Sequence, residues 1–99
     1  MPYTIVIKEP ARVDIQVAYD HYELESKGLG EDFLDKLLKR FHDLENKPHN
    51  YGYIDDQNII RDVKIKKFPY VIIFEITEAE VIVYSVHNTS KDPDKRIRK

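Results

Sequence analysis

The chain contains no cysteine, so no disulfide supplies stability, and a zinc site has to be assembled from histidines and carboxylates alone. That composition fits the cytosol, the compartment expected here. Glycine occurs only three times, at Gly28, Gly30 and Gly52, and there is no glycine-rich phosphate loop, nucleophile elbow or internal repeat. His21, His42 and His49 show neither HxxxH nor HExxH spacing, so no metal site and no cofactor are expected. No stretch approaches the ~20 apolar residues that span a bilayer. The amino end carries a short apolar run without a basic leader or a small-residue cleavage site. Export and membrane insertion are disfavoured.

What is present suffices for a packed core. The 99 residues are 41% hydrophobic and 34% charged, ordinary for a globular protein and outside the disordered range. A second folded unit would have too little apolar material to close its own core, so one domain over residues 1–99 is the expectation. The formal net charge of −2 argues against a generic nucleic-acid binder, yet it averages two unlike halves. Residues 1–57 hold seven basic and twelve acidic side chains, a balance of −5, whereas residues 58–99 hold nine basic and six acidic, a balance of +3. A surface formed by the second half can meet a polyanion or an acidic protein although the whole chain cannot. Charge alone does not demand this, because charges fluctuate along any small protein.

The β-branched run Tyr3 to Ile7, closed by Lys8, Glu9 and Pro10, reads as an opening strand over 3–7. The next segment is ambiguous, since Val13, Ile15 and Val17 alternate as in a strand while Ala11, Ile15, Ala18 and Tyr22 recur at helical spacing. Pro10 suits a first helical turn and no glycine or proline interrupts the chain from there to Glu25, which favours a helix over 11–25. Ser26 to Gly30 ends it. A second helix over 31–46 has Glu31 and Asp32 in its first turn, complementing the helix dipole. Phe33, Leu34, Leu37, Leu38, Phe41 and Leu44 form its apolar stripe. Lys47-Pro48 stops this helix, and a polar loop containing tyrosines comes next. The period then changes to two, giving strands over about 59–67, 70–77 and 80–87 with short connections. The order β-α-α-β-β-β predicts an α+β fold with a two-helix hairpin on one face of a mainly antiparallel four-stranded sheet. The opposite face is expected to be open to solvent, and the tail after Asn88 irregular or weakly helical.

Three stretches together resemble the RelE/ParE family of toxins from bacterial toxin–antitoxin systems. Ala11-x-x-Asp14-x-x-x-Ala18-x-x-x-Tyr22, followed by Gly28-Leu29-Gly30-x-x-Phe33, is similar to the opening of ParE-like members. Ile60-Arg61-x-x-x-Ile65-x-x-Phe68-Pro69-Tyr70-x-Ile72-x-Phe74 is similar to the family core, and Val83-x-x-Val86-His87-x-x-x-Lys91-Asp92-Pro93 to its closing motif. The resemblance implies a growth-inhibiting toxin of the plasmid-stabilisation kind, held inactive by a small cognate antitoxin that wraps it. It also implies one of two targets: DNA gyrase for ParE-like members, or messenger RNA on the ribosome for RelE-like members.

On a strand over 59–67, Ile60, Asp62, Lys64 and Lys66 share one face and Arg61, Val63 and Ile65 the other. With the apolar side against the helices, Lys64 and Lys66 lie on the open face, and their spacing matches paired lysines of RelE. Metal-free RNA cleavage must activate a 2′-hydroxyl, stabilise developing charge and protonate the leaving oxygen. Lysines serve the charge term, and proton transfer only where burial or neighbouring cations lower their pKa. His87 is the one obvious acid or base near such a site; a strand-end histidine is more often a structural hydrogen-bonding residue. Lys64 and Lys66 equally suit a guard against sheet aggregation. Against RNA cleavage, Val71 stands where RelE-like enzymes carry an arginine, and no aromatic follows Tyr84. Arg61 is expected to pair with an acidic group near the sheet edge or to meet the antitoxin. Tyr70, Lys91 and Arg96 are further candidates for contact with a partner, while Tyr51 and Tyr53 could stack on bases or cap a small core. The antitoxin is expected to cover the helices or the open sheet with an amphipathic helix or an added strand.

Overall fold

The computed structural model describes residues 2–90, in the order β1 (Thr4–Ile7), α1 (Glu9–Glu25), α2 (Leu29–Asn46), β2 (Ile60–Lys64), β3 (Tyr70–Ile76) and β4 (Glu80–Asn88), with a 3-10 turn at Pro48–Asn50 after α2. The ambiguous segment is helical: Pro10 occupies its first turn, and Ala11, Ala18 and Tyr22 are its buried residues. Small side chains on this face let α1 approach its neighbours closely. The expected tail structure from Lys91 onward lies outside the described residues. No helix of the described residues is long and apolar enough to cross a membrane.

The hairpin between the helices is tighter than expected. Gly28 adopts a left-handed φ of 88° at the N-cap of α2, a conformation glycine enters without steric cost. The helix then starts already at Leu29. Its first amides are capped from across the hairpin, because the Glu23 carboxylate accepts from the Gly28 and Gly30 N–H groups, each at 3.0 Å. Gly30 sits where the helices touch; a Cβ there would lie 2.9 Å from the Tyr19 carbonyl oxygen and 2.9 Å from Glu23 Oε1.

The stripe of α2 buries Phe33, Leu37, Phe41 and Leu44, packed with Val63, Ile65, Ile72, Phe74, Val81, Val83 and Val86 from the sheet. Leu38 departs from expectation, remaining 58% exposed. It follows Leu37, the centre of the buried row, by one residue, a rotation of ~100° that carries it off the core side. At one end of the core Tyr22, Phe33, Phe68 and Tyr70 form a ring cluster with centroids 4.8–6.1 Å apart.

The sheet runs β1-β4-β3-β2. β4 pairs antiparallel with β3, and β3 with β2, while β1 lies parallel to β4 with Thr4 opposite Glu80 and Ile7 opposite Val83. The two-helix hairpin makes this parallel closure possible, since parallel strands need a long crossover connection. The face away from the helices is less open than expected. On the central strand Val71 and Ile73 point to that side yet are only 2% and 8% exposed. They stand between Lys64 and His87, and between Asp62 and Ser85, respectively.

Candidate functional site

The strand register sets the geometry of the expected constellation. Lys64 is directly opposite Val71, and Val71 directly opposite His87, so the three form one row across β2, β3 and β4 on the face away from the helices. Two strand spacings separate the backbones of Lys64 and His87, roughly 10 Å, with the Val71 side chain between them. Lys66 does not join this row. β2 ends at Lys64, the Ile65 N–H still donates to the Tyr70 carbonyl at 3.0 Å, and the chain then turns through Lys67, whose φ is 77°. Instead, Lys66 lines a cavity against α2 with Lys36, Lys39, Arg40 and Asp43. Lys64 is not among the residues lining that cavity, so the two lysines expected together have different surroundings.

Arg61 has a different environment from the expected acidic one. Its Nη1 donates to the Tyr51 carbonyl at 2.6 Å and its Nη2 to the Tyr53 hydroxyl at 2.7 Å. The guanidinium carbon lies 3.9 Å from the centre of the Tyr53 ring, a stacked cation–π arrangement. Tyr53 also bridges to Arg61 through the backbone, so this arginine ties the loop after α2 to the sheet. Tyr51 packs against the core, its ring 6.5 Å from that of Phe74, whereas Tyr53 is largely exposed.

Tyr70 is placed within the aromatic cluster and is 7% exposed. Its hydroxyl accepts from Asn88 Nδ2 at 3.3 Å. Burial, followed by the neighbouring Tyr70, pushes the Tyr22 phenol up to about 12. Lys91 and Arg96 lie outside the described residues. Among the described residues, no group of three or more His, Asp or Glu side chains is arranged to hold a metal ion.

Two features of this region come from helices read only as scaffold in the sequence. β1 ends at Ile7, where the Lys8 N–H donates to the Val83 carbonyl at 3.0 Å, leaving the next part of the β4 edge without a strand partner. Asp14 of α1 fills it: its Oδ2 accepts from Ser85 Oγ at 3.0 Å and from the Val86 N–H at 2.9 Å. A shallow cleft beside it is lined by Asp14, Val17, Tyr70, Ser85, Val86, His87 and Asn88. Asp14 was visible in the sequence only as one position of a motif. On the other flank, Arg40 of α2 donates through Nε to the Lys64 carbonyl at 2.8 Å and through Nη1 to Asp43 at 3.2 Å. That bond caps the outer edge of β2 and draws the charged side of α2 toward the lysines. Nothing in the pattern of α2 marks Arg40, because its role depends on which strand the helix lies beside.

Asp32 links the start of α2 to the turn after β2, accepting from Lys36 at 2.8 Å and forming an ion pair with Lys67. Hydrogen bonds from Lys36, then from Lys67, hold its carboxyl below the usual carboxylate range.

Comparison with known proteins agrees with this architecture. Residues 5–93 match the family described as the ParE toxin of the type II toxin–antitoxin system, parDE. The fold is similar to a solved structure described as the chromosomal ParDE TA system from P. aeruginosa, with a TM-score of 0.75 at 14% identity, covering 87% of this chain and 95% of that one. It is also similar to an E. coli toxin RelE mutant in complex with a peptide of the antitoxin RelB. There the TM-score is 0.56 at 14% identity, covering 100% of this chain and 98% of that one. No curated protein sequence matches this chain.

Proposed function

Because the chain belongs to the ParE toxin family of type II toxin–antitoxin systems, we propose that this single toxin domain acts in the cytoplasm by blocking a protein or nucleoprotein target, with DNA gyrase the target implied by family resemblance. A cognate antitoxin neutralises it, as the RelB peptide accompanies RelE in the similar complex. One observation carries the choice of target: the row Lys64, Val71, His87 has a buried aliphatic residue at its centre. A metal-free ribonuclease needs charge stabilisation and proton transfer focused on one phosphate. Here the central position is apolar, and Lys66, the second lysine of the expected set, lines the α2 cavity instead.

The test is expression of the chain with and without its antitoxin. Induction alone should arrest growth with messenger RNA intact and with relaxed or damaged chromosomal DNA, and the purified chain should inhibit gyrase supercoiling. Lys64→Ala and Lys66→Ala should leave toxicity in place with at most a modest change in association rate, because rim charges mainly steer encounter. The alternative is ribosome-dependent cleavage of messenger RNA by Lys64, Lys66 and His87. Cuts at the decoding site of stalled ribosomes, abolished in the double lysine variant, would replace the proposed reading with it. Growth at a normal rate despite high-level expression would instead identify an inactive member retained as a binding module.

A further inference from the structure

The turn after β2 and the outer side of α2 bring together five cationic side chains: Lys36, Lys39 and Arg40 from α2, and Lys66 and Lys67 after β2. Two carboxylates answer them. Asp32 takes Lys36 and Lys67, and Asp43 takes Arg40. Among the described residues, the ammonium groups of Lys39 and Lys66 have no hydrogen bond or ion pair, although both line the same cavity. Asp35 stands one helical turn before Lys39 and does not pair with it.

We infer that this cluster is a binding site for the phosphodiester backbone of a nucleic acid. Three features favour that class of ligand. Arg40 is held in place by the Lys64 carbonyl and Asp43, which use two of its five N–H donors and present the rest of a fixed, planar fork suited to phosphate oxygens. Lys39 and Lys66 add two charges whose desolvation breaks no existing pair. The cavity lining contains no apolar or aromatic residue, whereas protein interfaces centre on such anchors and are depleted in lysine. Polyanion binding through counterion release needs only the cations. Contacts to phosphate carry no sequence information, so binding through them is indifferent to sequence. This inference goes beyond the choice of target: it concerns the α2 side of the molecule, and Lys39 plays no part in either mechanism considered above.

The purified full-length chain is titrated with a fluorescently labelled single-stranded RNA and with a duplex DNA of equal length over a series of salt concentrations. A poly-glutamate peptide of matched charge serves as the competing polyanion. Binding to RNA, DNA or both is expected, and the stronger of the two identifies the physiological source. Lys39→Ala combined with Lys66→Ala should weaken that binding by ~10-fold at low salt and reduce the slope of log affinity against log salt by about 1.4–1.8, as expected for two lost phosphate contacts. Lys39→Ala alone should give about half the slope change, and unchanged circular dichroism would exclude misfolding as the cause. Absence of binding to both nucleic acids overturns the inference. So does binding that the substitutions leave unaltered. Poly-glutamate binding as strong as the oligonucleotides would reassign the cluster to an acidic protein segment.

Discussion

Removing the Asp14 carboxylate tests how this fold manages an unfinished sheet edge. Asp14 accepts one bond from a backbone amide of β4 and one from a hydroxyl beside it, where β1 has already ended. Asp14→Ala leaves the Val86 N–H without its acceptor, and Val86 is itself buried. Hydrogen bonds to a charged group contribute about 1.5–3 kcal/mol each. Two such bonds would total about 3–6 kcal/mol, but the Asp14 site is half-buried and solvent replaces part of what is lost, so a smaller total of about 2 kcal/mol is expected. For a domain of this size that lowers the melting midpoint by roughly 8–16 °C. Asp14→Asn keeps an acceptor oxygen without the charge and should lose about half as much. Equilibrium urea unfolding gives the totals, and native-state hydrogen exchange locates them. The Val86 amide should lose more protection than that of Ile72, its neighbour on β3, because the defect opens locally. Equal loss at Val86 and Ile72, or no loss at either, would refute the assignment of Asp14 as the cap of this edge.

Gly30→Ala should destabilise by about 1–3 kcal/mol, as overpacking does, because the added Cβ would press on the backbone carbonyl of Tyr19; thermal unfolding checks this, and a neutral result would mean that the hairpin relaxes freely. Leu37→Ala should cost ~2–5 kcal/mol as a large-to-small change in the core, measured by urea unfolding, while Leu38→Ala, at an exposed position, should change stability by no more than ~0.5 kcal/mol. Stability should also fall in alkali. Tyr22 ionises at about 12 in the folded chain against 10.0 ordinarily, so its contribution is complete below pH 10.0, declines as the unfolded phenol ionises above it, and is gone once the pH passes about 12. Tyr22→Phe should flatten that decline in unfolding measured from neutral to alkaline pH.

The secondary structure was legible because each signal was local. The apolar stripe of α2, and Pro10 with an uninterrupted run behind it, reported helices from their own residues, and alternation reported three strands. Strand partners were less legible. Nothing in Thr4–Ile7 says that it lies parallel to β4 at the edge instead of beside β2, since alternation reveals a face and not a neighbour. The continuous apolar run of β3 was the available sign that both its faces would be covered. Within the candidate site, the exposure of Lys64 followed from the strand period. The position of Lys66 did not, because it depends on where β2 stops, and a left-handed Lys67 carries no signature in the sequence. The contributions of Asp14 and Arg40 were hidden for the same reason: each acts on a strand 24 or more residues away.

The parallel pairing of β1 with β4 also sets the order of events during synthesis. β1 leaves the ribosome before the other strands, yet among the described residues its strand partner is β4, the last of them in chain order. Until β4 emerges, the nascent chain holds an apolar strand with an open edge and a sheet lacking the member that joins β1 to β3. Contacts of such long sequence separation form late and slowly. Chains that end before Glu80 therefore cannot close this core, and folding of the whole sheet waits for β4.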